Sequence, residues 1–370
     1  MEERGSRITS VDVIPVGLRY THDGPPTGFG GAQWTTLRYA LIKVCTEDGL
    51  VGWGEGFGYN VLSATVQVLR DTVAPLVVGR DAANIAGLMG SLKHTLHLFG
   101  RGGPTHYALS GLDIALWDLA GKRAGVPVAE LLGGMQRREI PAYSSLMRMP
   151  DPAAVARACE KALSRGFNQL KLHEHTVEAV AAAREAVGED VELMLDVNCA
   201  WTPGEAHRIM ERLVRYRLKW VEEPIYPPED FESLARLRQR VPLPLAAGEN
   251  LANAWAFKAM LASGALDYLQ PSVTKVGGIS ELRTILTLAE MHGCAVAPHS
   301  PYFGPGLLAT LHLASHSPLI DQVESFGVRL ETPLFGPIGL PDANGMIRIP
   351  DGPGLGADPD PDVIEACRIV

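Results

Sequence analysis

Three acids recur along the 370-residue chain at nearly equal intervals: Asp196 in ELMLDVN, Glu222 in KWVEEP and Glu249 in PLAAGEN, 26 and 27 residues apart. Each follows a short apolar run, which reads as a strand closing on a carboxylate. Three like charges brought to one rim need a counter-charge or must keep protons. A few carboxylate oxygens, with positions left for water and substrate, are what Mg²⁺ takes, with Mn²⁺ as a substitute. By strand alternation the neighbouring Glu223 turns to the other side, so Glu222 is the expected ligand and Glu223 a supporting residue.

Lys171 and His173, in QLKLH, lie two apart and share one strand face, with Leu170 and Leu172 on the other. A lysine beside a metal neutralises a carboxylate, and a neutral imidazole accepts a proton near pH 7. Further along, VAPHS ends near His299, a second acid–base candidate, and VES supplies Glu324, which if protonated hydrogen-bonds a substrate carboxylate. His173 and His175 also form a His-x-His, so a zinc-dependent barrel hydrolase is the competing reading. The later strand ends bring oxygen ligands rather than further histidines, which favours Mg²⁺ over Zn²⁺.

The elements that would carry these residues have a regular rhythm. Apolar runs begin near Pro141, Gln169, Glu192, Lys219, Pro244, Leu266, Ala295 and Ile320, at intervals of 22 to 29 residues, with helical patterns between them. Eight such units predict an α/β fold, a (β/α)8-type barrel over residues 126–345, with its chemistry at the C-terminal strand ends. No glycine-rich dinucleotide fingerprint follows the first strand, which disfavours an open doubly wound sheet. Residues 1–125 read as an α+β capping domain: alternating strands, a hairpin at Asp48-Gly49, then helical patterns. Within it, the Gly- and Pro-rich loop 21–33 is long enough to be a lid. The turn-rich tail 346–370 is expected to return to the capping domain.

With these residues in view, the chain resembles the mandelate racemase subgroup of the enolase superfamily. The resemblance rests on ALSGLDIALWDLAGKRAGVPVAELLGG at 108–134 and on the spaced Asp196, Glu222 and Glu249 with their EEP and GEN contexts. It implies Mg²⁺-assisted removal of the proton α to a carboxylate through an enediolate. It further implies that Lys171 neutralises the carboxylate, Asn198 contacts the α-hydroxyl, His173 stands in for the second lysine of a KxK pair, and Glu324 is the strand-eight acid. On strand six, Ser272 replaces the aspartate that would orient His299, which makes His299 a weaker base that still serves as a proton donor.

That asymmetry points away from a racemase or epimerase of a 2-hydroxy acid and toward a sugar-acid dehydratase or sugar-acid/lactone cycloisomerase. Loop residues Trp34 and His22, with Ser272 and with Tyr302 from PHSPYFGPG, are the further candidates for contact with such a small-molecule carboxylate. A non-catalytic binding protein on this fold is the remaining alternative.

Composition narrows the field. A formal charge of −9 argues against nucleic-acid or anionic-membrane binding. Five scattered cysteines without a CxxC pair, an N-terminus without a signal-type stretch and no apolar run of membrane length predict a cytoplasmic protein. The resemblance adds a symmetric homo-oligomer, from dimer to octamer.

Overall fold

The structure is a computed structural model that describes residues 5–28 and 33–369. Residues 29–32 of the expected lid, and the first four residues of the charged N-terminus, lie outside the described residues. Strand β1 (Ile8–Thr21), β2 (Thr36–Thr46) and β3 (Val51–Gly56) form an antiparallel meander. Its second turn is the predicted Asp48-Gly49, where Gly49 takes a φ of +80° that a side chain would oppose.

The helix Pro104–Ala124 packs on this sheet at very short range. A Cβ on Gly54 would come within 1.9 Å of the Gly111 carbonyl, so only glycine on β3 lets the two backbones meet.

The barrel follows as β4 (Glu139–Ser145), β5 (Gln169–Leu172), β6 (Glu192–Asp196), β7 (Val221–Glu222), β8 (Leu245–Ala247), β9 (Tyr268–Leu269), β10 (Ala295–Val296) and β11 (Val323–Phe326). These eight strands are parallel, in spatial order β10-β9-β8-β7-β6-β5-β4-β11. Among the described residues the ring is joined between β10 and the approach to β11 by the Val296 N–H, which donates to the Leu319 carbonyl at 3.1 Å.

Among the described residues each of the first seven strands is followed by a helix; the eighth is not. Instead the chain passes to β12 (Arg329–Leu330), which pairs with the far end of β1 and ties the two sheets together. Strand β13 (Met346–Arg348), in the segment expected to return to the capping domain, first pairs with Glu139–Pro141 of β4. The chain then reaches β1, where the Ile369 N–H donates to the Pro15 carbonyl at 2.9 Å.

The barrel interior is filled by Tyr143, Met194, Trp220, Ala246 and Ala297. Tyr143 and Trp220 meet edge to face, with ring centroids 5.8 Å apart. This apolar plug is the floor on which the polar rim residues stand.

Candidate active site

The register of the barrel delivers the acids side by side. Asp196 pairs directly with Glu222 across β6 and β7, and Glu222 with Ala246 of β8, three residues before Glu249. Lys171 on β5 rises into their midst: Nζ is 2.9 Å from Glu222 Oε1, 3.0 Å from Glu324 Oε1 and 3.6 Å from Asp196 Oδ2. All four groups are almost wholly buried.

Burial works to lower the Lys171 pKa, but Glu222, Glu324 and Asp196 outweigh it and hold the lysine well above its ordinary value. Burial would likewise raise Asp196 and Glu324, yet Lys171 and the facing imidazoles pull both below the usual carboxylate range. Glu222 goes the other way, raised by burial and by Asp196 beside it.

His173 is fixed by its surroundings. Nδ1 sits 2.6 Å from the Leu146 carbonyl, a pure acceptor, so Nδ1 carries the hydrogen. Nε2 faces Asp196 Oδ2 at 3.3 Å and is the nitrogen left for proton transfer. On the other arm of the rim His299 places Nε2 2.7 Å from Glu249 Oε2. Behind it, among the described residues, Nδ1 meets only hydroxyls, Ser272 Oγ at 3.3 Å and Tyr302 at 3.4 Å, which bond closely to one another. Burial would raise Glu249, but His299 and Lys275 hold it well below the usual range.

Glu223 departs from the alternation expected of it. Strand β7 ends at Glu222, and Glu223 takes a φ of +43°. That twist turns its carboxylate into the same interior, where Oε2 accepts from Asn250 Nδ2 at 2.6 Å and from the Cys199 thiol at 3.0 Å. Burial and the Glu249 charge push it up to about 8. Among the described residues its Oε1 and the Asn198 Oδ1 are buried without partners.

Above the rim opens a cavity of about 540 Å³. His173, Asp196, Asn198, Glu249, His299, Glu324 and Trp34 all line it, while Lys171 and Glu222 lie beneath. Ser272 and Tyr302 stand behind His299 rather than at the wall. His22 packs against Tyr20, with its Nδ1 accepting from the Gly24 N–H at 3.2 Å, and does not line the cavity.

The capping domain closes one side with Trp34, Phe57 and Tyr59, and Tyr59 donates to the Pro301 carbonyl at 3.2 Å. His173 and His175 do not converge: His175 Nε2 accepts from Arg148 at 2.6 Å, a cation where a zinc ion would have to sit. Sequence reading missed Arg148 and Asn250, and sent Glu223 to the wrong side of its strand. Arg148 lies beyond the end of β4, a strand recognised by its start alone, and Asn250 follows an acid that drew the attention.

Among the described residues no three His, Cys, Asp or Glu side chains enclose a point by themselves; Asp196 and Glu222 lean on Lys171, and Glu249 on His299. The donor set nonetheless fits a divalent cation. Among the described residues five carboxylates (Asp196, Glu222, Glu223, Glu249, Glu324) gather about two lysines, Lys171 and Lys275, and two imidazoles, with Arg148 further out on the cavity wall. Hard oxygens in such excess, with Glu223 Oε1 and the Asn198 amide oxygen left unpartnered among the described residues, suit a hard ion.

A barrel with acid–base groups on both sides of a carboxylate cluster defines a class of enzyme, and sequence comparison narrows it. Residues 20–133 match the mandelate racemase/muconate lactonizing enzyme N-terminal domain, and residues 154–363 the enolase C-terminal domain-like family. The chain is 33% identical to D-galactarolactone cycloisomerase of Agrobacterium fabrum, over 90% of this chain and 91% of that one. It is 35% identical to D-galactonate dehydratase of Pectobacterium atrosepticum, over 75% of each. A racemase from Streptomyces coelicolor with bound magnesium superposes at a TM-score of 0.88 with 26% identity, over 98% of this chain and 100% of that one. The chain therefore belongs to the mandelate racemase/muconate lactonizing enzyme family of the enolase superfamily, whose members are enzymes that bind magnesium.

Proposed function

We propose that this protein is a Mg²⁺-dependent lyase or isomerase that removes the proton α to the carboxylate of a sugar acid or its lactone, as a dehydratase or cycloisomerase. The observation that carries this reading is the buried Lys171 ammonium, ringed by Glu222, Glu324 and Asp196, with His173 and His299 on either side of the cavity above it.

Asp196, Glu222 and Glu249 would hold the ion. When bound, it offsets the charge that builds on the substrate carboxylate as its α-carbon loses a proton. Lys171 pairs with that carboxylate, Glu324 holds the Lys171 ammonium in place from 3.0 Å, and Asn198 Oδ1, without a partner among the described residues, accepts from the α-hydroxyl. His173 takes the α-proton at Nε2, because its Nδ1–H is committed to Leu146. His299 returns a proton to the departing oxygen. The hydroxyls behind its Nδ1 stabilise an imidazolium less than a carboxylate would, which favours the role of acid over a second strong base and weighs against racemisation.

A cytoplasmic setting accords with five unpaired cysteines and with the absence, among the described residues, of any helix long and apolar enough to cross a membrane. A symmetric oligomer accords with exposed Leu98, Phe99 and Trp255, on segments linked by Asn253 Nδ2 to the Arg101 carbonyl.

Removing divalent ions with a chelator should abolish turnover of sugar acids and α-proton exchange in D₂O, and added Mg²⁺ should restore both. Full exchange in rigorously metal-free protein would refute the reading.

A further inference from the structure

Arg148 lies just beyond the end of β4, and in the eight-strand order β4 stands opposite β8, the strand that leads to Glu249. Arg148 lines the cavity. Nε donates to the His173 carbonyl at 2.9 Å and Nη2 to His175 Nε2 at 2.6 Å, two bonds that fix the plane of the group. Nη1 has no protein acceptor, and no carboxylate lies within ion-pair distance among the described residues. Asp151, the acid nearest in sequence, accepts the Ala154 N–H at 2.8 Å, and Glu174 accepts the Met149 N–H at 2.8 Å.

A preorganised guanidinium fork without an anion, on the wall of a cavity otherwise rich in acids, is a receptor for one. Thr27 and Gly28, from the stem of the loop 21–33, line the same cavity.

Resting on the α-proton-abstraction reading above, we infer that Arg148 receives a second carboxylate at the far end of the substrate, so that the preferred substrates are sugar diacids or their monolactones rather than sugar monoacids. In a lactone the same group meets a carboxylate as it forms. The Cβ–O bond breaks with its electron pair on the carboxylate oxygen, which leaves without a proton. The hydrogen taken from the α-carbon is replaced at the β-carbon when the enol becomes a ketone, so composition is unchanged. An open diacid loses water instead, and Arg148 then contacts a carboxylate that takes no part in the chemistry.

The test uses the Mg²⁺-loaded full chain with stereochemically matched pairs, each a diacid and the monoacid that ends in CH₂OH, together with the diacid's lactone. The unmodified protein should prefer the diacid or lactone at least about tenfold in kcat/KM. Arg148→Gln should lower kcat/KM for those substrates about 30- to 100-fold, mostly through KM, as expected for a lost charged hydrogen-bond pair. The monoacid should change less than about threefold, and Arg148→Lys should recover part of the loss.

An equal fall on both members of a pair would overturn the inference, because Arg148 would then act only by propping the His173 backbone. So would an unmodified protein with no diacid preference. Protection of the same proteins against thermal unfolding by each acid reads binding without turnover. If no acid shows metal-dependent exchange, α-proton abstraction fails, while stronger, Arg148-dependent protection by diacids still upholds the subsite and its loss refutes it.

Discussion

His173 and His299 face one cavity but are backed by different chemistry. A backbone carbonyl behind His173 holds one tautomer and leaves Nε2 free to take a proton, whereas two hydroxyls behind His299 do little to hold a positive charge. The two substitutions should therefore separate. His173→Asn should lose both α-proton exchange and product formation by at least about 100-fold, the contribution of a positioned general base. His299→Asn should keep exchange within about tenfold yet lose water elimination by about 100-fold, because hydroxide leaves poorly without a proton. A lactone substrate, whose leaving carboxylate needs none, should be spared in the same variant. Exchange monitored by proton NMR in D₂O, alongside product analysis, measures each step; equal losses in both variants would remove the assignment of base and acid.

At the scale of elements, β3 is joined to the barrel by a buried acid. Glu55 accepts the Gly306 N–H at 2.9 Å, in the first turn of the helix Pro305–His316, and is otherwise faced by Tyr39, Tyr59 and Tyr302. Burial pushes it up to about 8. Between the ordinary glutamate pKa and that value the folded chain keeps a proton that the unfolded chain releases. Its contribution to stability is therefore greatest in acid and falls as pH rises from about 4.5 to about 8, a change on the order of a few kcal/mol. Glu55→Gln should melt close to the unmodified protein at pH 5 and at clearly higher temperature at pH 8.5. A difference that does not grow with pH would mean that Glu55 ionises normally in the folded state.

At the scale of the molecule, the cavity exists only where capping domain and barrel meet, and Asp23 clamps that junction. From the stem of the loop 21–33 it reaches Arg165 at 2.8 Å, Arg329 at 3.2 Å and Lys161 at 3.5 Å, two of them on the barrel and one on β12. Burial would raise its pKa, but the two arginines hold it low, so the clamp stays charged across the neutral range. Asp23→Ala should raise KM about tenfold with kcat changed less than about threefold, since the loop supplies Thr27 and Gly28 to the cavity wall but none of the acid–base groups. A steady-state titration would expose a kcat collapse, which would instead make the clamp part of the chemistry.

The eight-strand rhythm, the three spaced acids and the pairing of Lys171 with His173 were legible in the chain, because alternation and strand spacing are local regularities that repeat. Glu223 escaped that logic: the same alternation sends it outward, and a φ of +43° one residue past the strand sends it in. Ser272 was legible as a missing carboxylate, but its contact with Tyr302 behind His299 was not, since the two meet across 30 residues. Arg148 opposite β8, Glu55 under the helix at Pro305 and the aromatic wall of Trp34, Phe57 and Tyr59 follow from how strands close into a ring and how a second domain seats on it. Periodicity along a chain fixes which face a side chain leaves from; only closure in three dimensions decides what stands across from it.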